Sequence, residues 1–175
     1  MRTKNFRSLM AMMFIRCSTA KGLLPVKGRD GATYYVGPTT PSYGFPYSGT
    51  WSLQTGVNNA GFCVGSGATA ATEDDYELAN MITSNVSASI VSNPSLDEDE
   101  NPTVVYDLTI TNTGSTAVTI AEIGFKQSIY TTTAVGGTSF TSRTFLLDRT
   151  VLAEPVTIPA GEFAVIRYTF VSDVT

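Results

Sequence analysis

The strongest constraint on the fold is a strict alternation of residue types between positions 104 and 111. One set of alternating positions holds large apolar side chains and the other holds mostly polar ones: Val104, Tyr106, Leu108 and Ile110 against Val105, Asp107, Thr109 and Thr111. A period of two predicts a β-strand with one buried and one exposed face. Residues 112–115 (NTGS) tolerate the positive φ of tight turns, so this strand and a second one at 118–125 are predicted to form a β-hairpin.

Further short strands are predicted on both sides of this hairpin. They lie at residues 61–66, 85–92, 143–148 and 155–158, followed by a tight turn at 159–162 and a last strand with Ala164, Ile166, Tyr168 and Phe170 on one face. The Thr- and Gly-rich residues 130–142 are predicted to be a long hairpin loop. Many short strands with almost no helix between them predict a mainly β, antiparallel β-sandwich, either immunoglobulin-like or a jelly roll.

The chain divides into three regions by composition. Residues 1–25 are predicted to be a short N-terminal helical arm, because their apolar side chains recur at helical spacings: Phe6, Leu9, Met10, Met13 and Phe14. A secretory signal peptide is the alternative for this arm. Residues 26–60 form a Tyr-, Gly- and Pro-rich extended segment with one strand at 34–36, and residues 61–175 form the β-sandwich domain.

Composition narrows the function. Charged residues make up 15% of the chain, against about 25% in a typical soluble domain, so the barrier to association with other chains is weak. A net charge of −4 without a basic stripe argues against nucleic-acid binding. The absence of His removes the usual general base and the commonest metal ligand. We therefore expect a protein that is not an enzyme, with no cofactor, metal or small-molecule substrate, and whose short apolar arm cannot span a membrane.

Four local features of the sequence resemble sites of chemistry. The acidic run at residues 97–100 is interpreted as a solvated loop rather than a Ca²⁺ site, because consecutive carboxylates do not converge on one ion. Residues 73–75 are interpreted as a turn or helix start capped by Thr72 rather than a carboxylate pair. The glycines at 65–67 lack the Lys and spacing of a phosphate loop. Cys63, and Cys17 with less support, are interpreted as small buried apolar residues.

Aromatic side chains are concentrated in the segment 34–51. They must either fold back on the domain or contact a partner chain, because the segment cannot form a core alone. With the apolar face of the arm they define the predicted assembly interface: Phe6, Leu9, Met10, Met13, Phe14, Tyr34, Tyr35, Tyr43, Phe45, Tyr47 and Trp51.

Three sequence blocks resemble small virion proteins of tailed bacteriophages. The first is CVGSG at 63–67 with Thr72, DDY at 74–76 and Leu78; the second is LTITNTGSTAVTIAEIGF at 108–125; the third is FLLDRTVLAEPVTIPAGE at 145–162. TKNF at 3–6 also fits the pattern. The resemblance covers most of residues 60–170 and carries no catalytic residues.

This resemblance implies a structural component of the tail, neck or capsid surface. Such a protein would be made in the host cytoplasm, reside in the virion, and contact copies of itself and other virion proteins. Two alternatives stay open: a secreted bacterial surface or adhesin module, and a carbohydrate-binding sandwich that uses Trp51 and the tyrosines as a sugar platform.

Overall fold

The computed structural model describes residues 1–6, 24–36, 55, 60–96, 102–133 and 141–171. These residues form a mainly β, antiparallel structure. Its strands are β1 (Leu24–Lys27), β2 (Thr33–Val36), β3 (Gly61–Gly65), β4 (Val86–Leu96), β5 (Pro102–Asn112), β6 (Val118–Thr131), β7 (Thr141–Ile158) and β8 (Phe163–Val171).

The strands form a hairpin and two three-stranded sheets. β1 pairs with β2; sheet I has the order β3-β6-β7, and sheet II has the order β4-β5-β8. Each three-stranded sheet therefore consists of one hairpin and one strand that lies three elements away in the chain. The predicted antiparallel sandwich is confirmed at this level.

The main core lies between the two sheets. Phe62 of sheet I packs edge-on against Tyr106 and Tyr168 of sheet II, with ring centroids 5.0 and 5.5 Å apart. Leu108 and Ile110 face the same core and are fully buried. This is the side of β5 that the alternating pattern identified, so period two located the buried face correctly.

The predicted hairpin of β5 and β6 is wrong. β5 pairs with β4 and β8, whereas β6 pairs with β3 and β7, so residues 113–117 cross from one sheet to the other. The buried side chain of Asn112 stabilises this corner. Its Nδ2 donates to the carbonyls of Thr116 (2.7 Å) and Ile158 (3.0 Å), and its Oδ1 accepts from the Gly114 amide at 2.9 Å.

The tight turn at 159–162 is confirmed, and it also joins the two sheets. Gly161 adopts a φ of 77°, and the Glu162 amide donates to the Pro159 carbonyl at 3.1 Å. The Gly161 amide also donates to the Asn112 carbonyl, so the two inter-sheet corners are bonded to each other. The strand predictions at 34–36, 61–66 and 85–92 are confirmed. β6 and β7 form a hairpin as predicted, but the strands extend into the predicted loop at 130–142, because β6 ends at Thr131 and β7 begins at Thr141; residues 134–140 lie outside the described ranges. Residues 143–148 and 155–158 belong to one long strand, β7, rather than to two.

Strand β6 is buried on both faces, which explains why its residues do not alternate. Residues 120–126 are all buried. Residues 66–81, which we call the covering segment, lie over the outer face of sheet I. There Leu78 and Met81 of the covering segment pack against Cys63 and Leu146 in a second apolar cluster.

Both edges of sheet I are covered by other parts of the chain. Met81 forms a bridge with Gly65, and the Ile82 amide donates to the Val64 carbonyl at 2.9 Å, beside β3. On the β7 side, the Thr3 amide donates to the Leu147 carbonyl at 3.0 Å. Parts of both edges of sheet I, at Val64–Gly65 and at residues 147–149, therefore have backbone partners within the chain.

Of the predicted N-terminal helical arm, the described residues 1–6 contain one helical turn, at residues 4–6. Leu24 and Pro25, which were assigned to the arm, begin strand β1 because their backbone groups pair with β2. Residues 7–23 lie outside the described part of the chain. The β1–β2 hairpin contributes Val26 and Tyr34 to the main core. Within the described ranges, no helix is long and apolar enough to cross a membrane.

Candidate functional site

The three blocks that carry the resemblance meet on the outer face of sheet I. Glu122 on β6, Arg149 on β7 and Asp75 in the covering segment form a chain of contacts that we call the Glu122 cluster. A register shift between Ile120 and Glu122 accompanies the buried position of the glutamate. Each block supplies one charged side chain to this cluster.

The Glu122 carboxylate is fully buried and accepts four hydrogen bonds. Its Oε1 accepts from the amides of Gly67 (3.1 Å) and Asn80 (2.8 Å). Its Oε2 accepts from the Ala79 amide (3.1 Å) and from Nε of Arg149 (2.8 Å). A carboxylate has about four lone-pair positions, so this one is saturated. Saturation offsets the cost of removing the charge from water.

Arg149 links the buried carboxylate to the covering segment. Its Nη1 donates to Asp75 Oδ2 at 2.7 Å, and its Nη2 donates to the Thr69 carbonyl at 2.8 Å. Burial opposes the guanidinium charge, but the hydrogen bonds to Asp75 and Glu122 outweigh it, so the pKa of Arg149 is raised. Arg149 is therefore held as a cation between two carboxylates.

Asp75 closes the cluster through a local turn. The amide and hydroxyl of Thr72 each donate to its carboxylate at 2.9 Å, and the Asp75 amide donates to the Thr72 carbonyl at 3.3 Å. Burial disfavours the charged form, but the hydrogen bonds from Thr72 and Arg149 outweigh it and hold the pKa of Asp75 below its usual value. The predicted turn at residues 73–75 is confirmed. The Asp75 carboxylate in this turn is also a hydrogen-bond partner of Arg149.

The motif glycines are required by the close approach of Glu122. A Cβ on Gly65 would lie 2.6 Å from the Asn80 carbonyl oxygen, and one on Gly67 would lie 2.6 Å from Glu122 Oε1. Neither distance is compatible with a side chain unless neighbouring atoms shift. Sequence reasoning missed this role. The available signal was a charge of opposite sign in each strand: Glu122 within the apolar run of β6, and Arg149 two residues after the apolar run at 145–147 of β7.

The chemistry of the Glu122 cluster is structural. Glu122 is 0% exposed with its four acceptor positions occupied by protein donors, and Arg149 is only 2% exposed. The arrangement attaches the covering segment to sheet I through charge-assisted hydrogen bonds, which are stronger than neutral ones.

Three residues of the predicted assembly interface lie in the described part of the chain. Phe6 is partly buried against the main core. Tyr34 is buried; its hydroxyl donates to Asp30, and the guanidinium of Arg143 lies 4.3 Å from its ring centroid. Tyr35 is half-buried and exchanges backbone hydrogen bonds with Thr132. The remaining predicted residues lie outside the described ranges: Leu9, Met10, Met13, Phe14, Tyr43, Phe45, Tyr47 and Trp51.

A different apolar surface is visible on sheet II. Phe163 and Val165 on β8 are 63% and 59% exposed, and Val91 on β4 is 59% exposed. All three project from the outer face of this sheet. Sequence reasoning did not single them out, although the inward set on β8 that it identified implies that Phe163 and Val165 point outward.

The cysteines and the possible metal-ligating side chains are the remaining groups that could carry chemistry. Cys63 is buried as predicted, and burial raises the pKa of its thiol to about 12. Cys17 and the acidic run at 97–100 lie outside the described residues. Over the part of the chain that the structure describes, no group of three or more His, Cys, Asp or Glu side chains could hold a metal ion.

No family model, curated protein or solved structure matches this chain.

Proposed function

We propose that the chain is a non-enzymatic structural component of a tailed-bacteriophage virion that acts by protein–protein assembly. Its station would be the tail or neck, or the capsid surface. The observation that carries the assembly proposal is the difference between the two sheets: the chain's own residues 66–81 cover part of the outer face of sheet I, and sheet II presents an exposed apolar surface.

The edges of sheet II differ from those of sheet I. Among the described residues, β4 and β8 each pair with β5 alone. The outer edge of a strand carries N–H and C=O groups that can pair with another chain. Strand β8 runs for nine residues and contains no proline or register shift that would discourage such pairing. It is therefore suited to extension by a strand from a neighbouring subunit.

The outer face of sheet II adds apolar area beside this edge. Phe163 and Val165 stand two residues apart on β8, next to the Arg167–Asp107 ion pair (2.8 Å). Burying one such apolar side chain contributes about 1.5–3 kcal/mol. In a symmetric assembly every copy repeats the contact, so modest pairwise energies accumulate.

The virion part of the proposal is supported by the sequence resemblance. All three blocks contribute to the Glu122 cluster, and the second and third also form the Asn112 corner, so they describe the framework of a sandwich rather than a reactive site. We include in the proposal an immunoglobulin-like arrangement, because β3 pairs with β6 and β5 pairs with β8 across intervening hairpins of the opposite sheet.

The assembly proposal is tested by light scattering coupled to gel filtration over a range of protein concentrations. The wild-type chain is expected to elute at multiples of its 18.7 kDa monomer mass. The double variant Phe163→Lys/Val165→Lys should shift towards monomer with an unchanged circular dichroism spectrum. The matched control Ala153→Lys/Thr157→Lys places the same charges on exposed positions of sheet I and should assemble normally. A wild-type monomer at every concentration would contradict the proposal.

The virion proposal is tested by mass spectrometry of purified phage particles from the source culture. Peptides of this chain are expected in the particle fraction at a fixed ratio to other virion proteins. Their confinement to the soluble lysate, with none in particles, would refute the virion assignment and leave the assembly result to stand on its own.

A further inference from the structure

The direction of the backbone groups along β8 follows from two hydrogen bonds at its start. The Asn112 amide donates to the Glu162 carbonyl at 2.9 Å, and the Asn112 carbonyl accepts from the Gly161 amide at 3.0 Å. The backbone of Asn112 therefore points towards β8. Because backbone groups alternate in direction along an antiparallel strand, residues 163, 165, 167 and 169 direct their N–H and C=O groups away from β5. Among the described strands, none pairs with this side of β8.

The opposite edge of sheet II carries a proline at such an outward position. Since Asn112 points towards β8, its neighbour Thr111 points towards β4, where it pairs with Ser87. The even-numbered residues of β4 therefore direct their backbone groups out of the sheet. One of them is Pro94, which has no N–H to donate and so discourages pairing with another chain. Strand β8 contains no proline, so its outward residues keep their donors.

The side chains of β8 limit the ways in which two copies of this strand would pair. An antiparallel pair of identical strands has a two-fold axis, on which one residue faces its own copy. With Arg167 on the axis, two guanidinium groups would stand opposite each other, which is destabilising. With Ile166 on the axis, Arg167 would face Val165, which has neither a charge nor an aromatic ring. With Val165 on the axis, the two valines face each other and Phe163 faces Arg167 of the second copy.

The last of these registers suits the existing contacts of Arg167. Its Nε and Nη2 donate to the Asp107 carboxylate at 2.8 and 3.3 Å, so the flat face of the guanidinium is left for an aromatic ring. Phe163 and Val165 are 63% and 59% exposed, so both have apolar area to bury. Their backbone groups and those of Arg167 all point outward, so the three residue pairs would exchange about six hydrogen bonds.

We propose that two copies of this chain pair through their β8 strands, antiparallel and with Val165 on the two-fold axis. The two copies of sheet II then form one continuous sheet with the order β4-β5-β8-β8-β5-β4. This inference rests on the assembly function proposed above and names the partner at that surface, a second copy joined through the backbone edge of β8. Contact through the outer face alone would leave the backbone groups of β8 unpaired, and the experiments separate the two arrangements.

Proline substitutions test whether the backbone edge of β8 is the contact. Val165→Pro removes an outward N–H, a change that an edge strand tolerates, so the monomer should keep its circular dichroism spectrum. It should raise the dimer dissociation constant, measured by light scattering across a dilution series, ~100-fold or more, because both N–H groups at the axis are lost. Two matched controls should dimerise like wild type. Ser92→Pro removes an outward N–H of β4, and Thr169→Pro removes one of β8 beyond the paired stretch.

Amide hydrogen exchange of the wild type gives a second test that needs no variant to fold. As the protein concentration rises through the dissociation constant, the amides of Phe163, Val165 and Arg167 should exchange more slowly, whereas the Ser92 amide should not change. If the wild type assembles but these three amides stay unprotected, or Val165→Pro assembles normally, the β8 pairing is overturned and assembly through the outer face of sheet II still stands. A loss of dimer in Thr169→Pro equal to that in Val165→Pro overturns the register. A wild type that is monomeric at every concentration overturns both the pairing and the assembly function.

Discussion

Replacing Glu122 with Gln is expected to destabilise the fold strongly, although the two side chains have nearly the same shape. Each carboxylate oxygen accepts two hydrogen bonds, Oε1 from two backbone amides and Oε2 from an amide and Arg149. In either orientation, the new NH₂ group faces two N–H donors, so two buried donors lose their acceptor. The buried Arg149 also loses one of its two carboxylate partners.

The expected size of this effect follows from these contacts. Each buried donor left without an acceptor costs about 1–3 kcal/mol, and removing one partner of a buried ion pair costs about 3–5 kcal/mol. These figures describe overlapping losses, so we expect a decrease of about 3–5 kcal/mol in the free energy of unfolding. At a typical m of about 2 kcal/mol/M, the urea midpoint should fall by about 2 M.

Urea unfolding followed by circular dichroism measures this decrease, with Glu162→Gln as the matched control. Glu162 is exposed in the turn between β7 and β8, so its replacement should change the free energy of unfolding by less than about 0.5 kcal/mol. The m value should be the same in wild type and both variants. A loss below about 1 kcal/mol for Glu122→Gln would refute the conclusion that the Glu122 cluster attaches the covering segment.

Two further predictions concern acid stability and the inter-sheet corner. The lowered pKa of Asp75 means that its contribution to stability is present above the ordinary Asp pKa of about 3.9 and is lost as pH falls through its lower folded value. Asp75→Asn should therefore flatten the acid decline of the urea midpoint, and parallel declines in variant and wild type would contradict this. Asn112→Ala removes three hydrogen bonds and should cost about 2–4 kcal/mol in urea unfolding. The exposed control Asn93→Ala should be neutral, and an equal loss in both variants would contradict the role of Asn112.

The sequence by itself determined the fold class and the inward face of several strands. Side chains alternate across a strand, so the pattern at 104–111 identified the buried face of β5 without knowledge of its neighbours. The turn at 159–162 was also local, because it depends on Pro159 and on the positive φ of Gly161.

Strand pairing was decided only in three dimensions. Residues 112–115 have the composition of a hairpin turn, but the buried Asn112 side chain bonds to Ile158, forty-six positions away, and the strands on either side enter different sheets. Local sequence does not encode such a partner. The sequence could indicate a turn at this point, but it could not indicate which strands the turn would join.

For the Glu122 cluster too, the sequence contained the residues, and only the tertiary structure brought them together. The sequence displayed Glu122, Arg149 and Asp75 as isolated charges in separate blocks, and it left the glycines at 65 and 67 without a role. Their relation exists only because the covering segment folds over sheet I and places three backbone amides, together with the guanidinium, within reach of one carboxylate. In that position the buried Glu122 carboxylate and the Arg149 guanidinium depend on each other, because removing one partner of a buried ion pair strongly destabilises the fold.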